Sequence, residues 1–372
     1  MTTQNSRPRA RDVGLGLGSM QPGPHNAITD VPGVLVGHTT LIEGSGPLVP
    51  GKGPIRTGVS VVLPHTGNLF REKVPAAVFV LNGFGKCFGQ EQIDELGVIE
   101  SPIAMTGTMN VGRVVDALAQ YSITVNPDVA ITTSTVNTVV TECADNYLND
   151  MQGRHVGYDH VLSAIQSART GSVEEGTVGA GTGMSLFGFK GGIGTSSRKL
   201  PTEHGGYTVG AIVLGNFGRR DQLTIAGVPI GRMLQDWNPP EVVPEAGSII
   251  VIIGTDAPML DRSLRRIARR ASLGLARLGS ISGNGSGDYI IAFSNALRIP
   301  HEPTELTLTF EHIVESGALI DSLFQATVEA TEEAVVNALF RATTVVGWDD
   351  HVRHALPLEP TLEALRRAGV LS

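Results

Sequence analysis

Cysteine is nearly absent: Cys87 and Cys143 are the two thiols in 372 residues. That allows at most one disulfide, excludes a disulfide-built scaffold, and fits a reducing compartment. Aromatic residues make up only 5%, so the interior must be filled mainly by aliphatic side chains. No uninterrupted apolar stretch reaches the roughly 20 residues needed to cross a bilayer. The opening MTTQNSRPRARDVGLG has no apolar core of a secretory signal. The expectation is a soluble cytoplasmic protein. Basic charge is also short, with 28 Lys and Arg against 36 Asp and Glu and a net charge of −8. Such a chain has no cationic face to replace counterions on phosphates, which excludes a dedicated nucleic-acid binder. Its one basic run, from Arg262 to Ala271, places Leu264, Ile267 and Ala271 at helical spacing and reads as the solvated side of an amphipathic helix. Paired metal ligands are missing too: the ten histidines form no HExxH pattern and the cysteines lie far apart. We expect no metal and no other cofactor.

What is present is glycine, 46 residues of it, with 41% hydrophobic and 17% charged residues. This composition can bury a large core and is far from that of a disordered chain. Strand-like runs occur at 34–41, 59–63, 76–81, 130–136, 209–214, 249–253, 289–293 and 306–310. Helical periodicity covers 111–121, 261–278, 317–340 and about 360–368. Several strands follow one another without intervening helices, which favours antiparallel or mixed sheets with helices packed outside, a layered α/β (α+β) architecture.

The most informative stretch is Gly247-Ser248, which opens the wholly apolar run 248–253. A serine there adds little to packing. A cut before it would create a nucleophile carrying its own α-amine, whose pKa near 8 suits it as a base. Gly247 tolerates the strained backbone needed for attack on the preceding carbonyl, and Pro244-Glu-Ala-Gly reads as an accessible turn. Alone, the serine is better read as the start of a buried strand. Ser286 and Asp288 sit in Asn284-Gly-Ser-Gly-Asp, a turn sequence that also sets a hydroxyl beside a carboxylate. Asn216 ends a strand and has an amide able to donate to an oxyanion. Glu142, next to an apolar run, is either a receptor for an ammonium group or a surface acid. Gly179-Ala-Gly-Thr-Gly-Met and Gly191-Gly-Ile-Gly-Thr-Ser-Ser-Arg lack the Lys-Ser/Thr ending of a phosphate loop and the spacing of a dinucleotide fingerprint. Close backbone packing around a site accounts for them better.

In order along the chain, these segments resemble the L-aminopeptidase/D-esterase and β-peptidyl aminopeptidase group of self-processing serine hydrolases. The matching blocks include Asn26-Ala-Ile-Thr-Asp-Val-Pro-Gly-Val-Leu-Val-Gly-His, Asn82-Gly-Phe-Gly-Lys, Ser101-Pro-Ile-Ala-Met-Thr and the two glycine clusters. They continue through residues 209–218, Gly247-Ser-Ile-Ile-Val, Thr255-Asp-Ala-Pro, Ser286-Gly-Asp and Ala330-Thr-Glu-Glu-Ala. The resemblance implies a single four-layer αββα sandwich over residues 1–372, like that of N-terminal-nucleophile hydrolases but differently connected. It implies a cut between Gly247 and Ser248 into an α chain, 1–247, and a β chain, 248–372, assembled as a tetramer of such units. Ser248 would be the nucleophile, Ser286 and Asp288 its supporting pair, Asn216 an oxyanion donor and Glu142 the anchor for the substrate amine. Some relatives carry Glu at the position of Asp288. The activity implied is release of N-terminal α- or β-amino acids from short peptides, amides or esters bearing a free amine. An amidase for ω-amino-acid oligomers or an acyltransferase of the same fold is the alternative, and a non-hydrolytic nucleotide-binding module is the alternative from another class.

Overall fold

The computed structural model describes residues 7–238 and 247–371. Its first sheet contains β1 (Leu35–Glu43), β2 (Ile55–Leu63), β4 (Ile103–Gly107) and β5 (Val139–Cys143), in the order β1-β2-β4-β5, with the short strand Cys87–Phe88 beyond β5. The second sheet runs β6 (Gly192–Lys199), β7 (Thr208–Asn216), β8 (Ser248–Thr255), β9 (Gly287–Ser294) and β3 (Glu72–Gly83), with Ile299–Pro300 at the far edge. Most neighbours are antiparallel, but β4–β5 and β8–β9 are parallel. A parallel pair needs a long crossover. Helix α1 (Val111–Val125) supplies it in the first sheet, and α3 (Asp261–Arg277) in the second.

Side-chain alternation along single strands sorts the chain into layers. In β8, Ile249, Val251 and Ile253 join Leu264, Ile267 and Leu339 in a core beneath α3 and α4 (Ala318–Arg341). Ile250 and Ile252 point the opposite way and meet Val62, Ile103 and Met105 of the first sheet. A third core joins Val59, Val61 and Ala104 to Val114 and Leu118 of α1 and to Val161 and Ala164 of α2 (Tyr158–Ser167). The layers are therefore helices, sheet, sheet, helices. The continuous apolar run of β8 follows directly, because both of its faces are covered. Close contact between layers requires missing side chains: a Cβ on Gly194 of β6 would collide with the carbonyl oxygen of Ala334 in α4.

Polar groups buried against α4 tie down the segment before β1. The fully buried Arg198 of β6 donates to Glu333 at 2.7 Å and to Glu329 at 3.1 Å. Glu329 in turn accepts the backbone N–H groups of Ser19 and Met20, each at 3.0 Å. The charges are thus paired and hydrogen-bonded, the condition for burying them. The basic run of 262–271 does form the exposed side of α3, with Leu264, Ile267, Ala268 and Ala271 buried. No helix among the described residues is long and apolar enough to cross a membrane.

Two of the expected strands do not form. Residues 130–136 wind instead into a turn in which the Asp128 carbonyl accepts the N–H groups of Ile131, Thr132 and Thr133. Residues 306–310 alternate correctly but join no ladder, and Leu306 is fully exposed. Conversely, β4, β5, β6 and α2 go beyond the elements expected from periodicity. In the sequence β6 shows only as a glycine cluster, because its glycines hide a strand that packs directly on a helix.

Candidate active site

Strand direction brings the candidate residues together. Because β8 and β9 are parallel, both begin at the same sheet end, and Ser248 stands opposite Gly287. The flanking strands run the other way and so end there: Asn216 of β7 pairs with Ser248, and Asn82 of β3 pairs with Asp288. A one-residue slip in any of these ladders would turn its side chains to the opposite face.

Ser248 is buried, and its Oγ accepts a hydrogen bond from the Gly287 backbone N–H at 3.2 Å. The same N–H reaches the carbonyl oxygen of Gly247, also at 3.2 Å. Beside it, the hydroxyl of Ser286 donates to Asp288 Oδ1 at 2.5 Å, and the hydroxyl of Ser282 donates to Oδ2. Burial pushes the Asp288 carboxyl above its ordinary value, and hydrogen bonds from Ser282, Ser286 and the Ile249 backbone offset this only in part. The Asn82 amide donates to the carbonyl of Ser286 and to that of Gly283 at 3.1 Å, holding the turn of residues 283–286 in place. A small cleft lined by Phe217, Gly247, Ser282 and Ser286 opens beside the serine. The turn of 284–288 forms, and within it the Ser286 hydroxyl stands beside the Asp288 carboxylate. Sequence reasoning misses Asn82, Ser282 and the Gly287 N–H. Asn82 lies within a motif notable only for its resemblance, and a backbone N–H leaves no sequence signal.

Asn216 closes the other side. Its Oδ1 accepts the Ser185 N–H at 2.7 Å, which settles which end of the amide is oxygen. Its Nδ2 donates one hydrogen to the Ala144 carbonyl at 2.9 Å, leaving a second hydrogen. Glu142 comes from the facing sheet, where β5 pairs with β4 and places it opposite Thr106. It is 3% exposed, which excludes the surface reading. Oε1 accepts the Lys86 backbone N–H at 3.0 Å, Oε2 accepts the Thr108 hydroxyl, and the Lys86 ammonium stands 3.6 Å from Oε1. Gly85 separates this carboxylate from the serine's partner. A Cβ there would lie 3.1 Å from Gly287 Cα and 3.2 Å from Glu142 Oε1.

The first glycine cluster forms the turn Gly179–Gly183, buried throughout. Lys190 is fully buried beneath it, donating to the carbonyls of Gly181 and Gly191, each at 2.8 Å. Burial lowers the Lys190 ammonium to about 7 and raises the nearby Asp145 carboxyl to about 6. A turn with no open face cannot cradle a phosphate, so the nucleotide-module alternative loses its footing.

Comparison with known proteins places the chain and its fold. Peptidase family S58 matches residues 26–353. A beta-peptidyl aminopeptidase BapA of Sphingosinicella xenopeptidilytica is 42% identical over 369 residues, spanning 96% of this chain and 90% of that protein. The crystal structure of a protein from Pyrococcus horikoshii OT3 superposes with a TM-score of 0.93 at 51% identity, over 97% of this chain and 100% of that one. The L-aminopeptidase D-Ala-esterase/amidase of Ochrobactrum anthropi superposes with a TM-score of 0.91 at 38% identity, over 98% of this chain and 100% of that one. That structure is described as a prototype of the serine aminopeptidases and a new variant of the N-terminal-nucleophile hydrolase fold.

Proposed function

This chain belongs to peptidase family S58 and is a serine aminopeptidase, and from that premise we propose that it matures by cutting itself between Gly247 and Ser248. The observation that carries this reading is the Gly287 N–H, which lies within 3.2 Å of both Ser248 Oγ and the Gly247 carbonyl oxygen. One donor thus addresses both the attacking oxygen and the oxygen on which charge develops. In the cut, Ser248 Oγ attacks the Gly247 carbonyl carbon, the hydroxyl proton passes to the Ser248 nitrogen as the C–N bond breaks, and the acyl group is left on Oγ as an ester. Water then releases Gly247 as a carboxylate and Ser248 with a free α-amine. Denaturing gel electrophoresis with mass analysis tests this step: fragments 1–247 and 248–372 are expected, and purified protein that stays intact on prolonged incubation would sink it. The two fragments would remain one αββα unit, and light scattering would show whether these units assemble as a tetramer.

In the mature enzyme the Ser248 α-amine takes the hydroxyl proton as Oγ attacks the substrate carbonyl, and later returns it to the leaving amine. Ser286 and Asp288 orient that pair through hydrogen bonds, and the free hydrogen of Asn216 Nδ2 faces the oxyanion. Water hydrolyses the acyl-serine. The ionised form of Asp288 is the one that accepts from Ser286. Its raised value therefore adds to the acid limb of the kcat/KM profile, below the ionisation of the α-amine, a second ionisation above the ordinary Asp range near 3.9. Asp288→Asn should remove that lower ionisation and leave the α-amine's, and an unchanged low-pH slope in the variant would remove Asp288 from this role.

Substrates are short peptides, amides or esters whose amino-terminal residue, α or β, presents a free ammonium to Glu142. N-acetylation of a good substrate should lower kcat/KM at least about tenfold, because a charge-assisted hydrogen bond contributes roughly 1.5–3 kcal/mol and the buried carboxylate loses its cation. The penalty should shrink in Glu142→Gln. Equal rates on free and acetylated substrates would make the protein a general amidase. A panel including 6-aminohexanoate oligomers separates this reading from an ω-amino-acid amidase.

A further inference from the structure

The amine subsite contains a second charge. Lys86 follows Gly85, the residue wedged against Gly287 and Glu142, so its side chain stands at the same mouth. Its ammonium lies 3.6 Å from Glu142 Oε1, longer than a hydrogen bond, and its side chain is 53% exposed while that of Glu142 is 3% exposed. A half-exposed ion pair of this length contributes little. The carboxylate, by contrast, is held by the Lys86 N–H and the Thr108 hydroxyl. Of the two charges, Lys86 is the movable one. Phe84 and Met109, adjacent in sequence to Gly85 and Thr108, are exposed and apolar.

An ammonium arriving at Glu142 competes with Lys86 and leaves the lysine as an uncompensated cation beside the bound substrate. A carboxylate on the carbon that carries the amine would answer it, because the two substrate charges then match the spacing of the Glu142–Lys86 pair. Resting on the assignment of Glu142 as the amine receptor, we infer that this subsite favours an acyl residue with a carboxylate beside its free amine. The simplest such residue is a β-linked aspartyl group, with its amine on Glu142 and its α-carboxylate on Lys86.

The test compares two p-nitroanilides, of β-linked aspartate and of β-homoalanine, which differ only in a carboxylate for a methyl group. Processed wild type, Lys86→Met and Glu142→Gln are assayed on both. Wild type should cleave the aspartyl anilide with the higher kcat/KM. Lys86→Met should lower that value about tenfold or more, yet raise the β-homoalanyl value a few-fold through a lower KM, since the competitor for Glu142 is gone. Opposite directions cannot come from a distorted site, which would lower both. Wild-type indifference to the carboxylate, or changes of the same sign in Lys86→Met, overturns the inference. Glu142→Gln separates the two levels. If it lowers both substrates while Lys86→Met leaves the ratio unchanged, the lysine role alone is wrong. If Glu142→Gln changes neither, the amine receptor is misassigned and the inference falls with it.

Discussion

Ser248→Ala should leave a single intact polypeptide and lower hydrolysis by a factor on the order of 10⁶, the scale set by removal of a serine-hydrolase nucleophile. Both losses come from one atom, because Oγ attacks Gly247 during maturation and the substrate afterwards. The fold should survive. Ser248 lies between β7 and β9 in an unbroken ladder, and Ala keeps the backbone and Cβ. The hydrogen bond lost among the described residues is from the Gly287 N–H, which retains the Gly247 carbonyl as acceptor. A variant that melts like wild type but neither splits nor hydrolyses is the expected result. Cleavage at the same bond in Ser248→Ala would place the nucleophile elsewhere.

Asn216→Ala should reduce kcat by about 10²–10³, the usual cost of one oxyanion donor. It should also slow maturation, since both reactions pass through a tetrahedral oxyanion. The residue has a structural duty as well: Oδ1 holds Ser185 at 2.7 Å and Nδ2 holds Ala144 at 2.9 Å. Alanine leaves both backbone groups without this partner, at roughly 1–3 kcal/mol for each that stays unsatisfied. Asn216→Asp separates the duties. It keeps an acceptor for Ser185 but has no N–H to donate and sets a negative charge beside the developing one. If catalysis needs the donor, the Asn216→Asp variant should be at least as inactive as the alanine variant while keeping the acceptor for the Ser185 N–H. An unchanged kcat in either processed variant would leave Asn216 as a brace between β7 and the segment after β5.

The assignment of Glu142 illustrates where reading the chain stops. Its neighbours Val139, Val140 and Thr141 leave it between surface acid and ammonium receptor, and nothing local can choose. Burial at 3% removes the surface reading, and that burial exists because the first sheet faces the second and carries β5 to the end of β7. The same limit shows in the failures. Residues 306–310 have strand alternation without a strand, because alternation records what a ladder would bury, not whether a partner edge is free. Residues 130–136 are lost to a local turn on the Asp128 carbonyl, which satisfies those N–H groups without any sheet.

By itself the amino-acid sequence determined the properties that depend on near neighbours. These are the apolar run opened by Ser248, the helical faces of α3 and α4, the turn that sets Ser286 beside Asp288, and the ordered blocks of family resemblance. Each follows from side-chain period or from the backbone freedom of glycine, which act within a few residues. Only the tertiary structure decided that Ser248, Asn216, Asp288 and Glu142 share one end of the sandwich, that the Gly287 N–H serves two oxygens, and that Lys86 stands by Glu142. Those facts rest on strand direction and register between segments far apart in the chain. Such pairings are selected cooperatively by the burial of whole sheet faces, and no short stretch of residues carries that information.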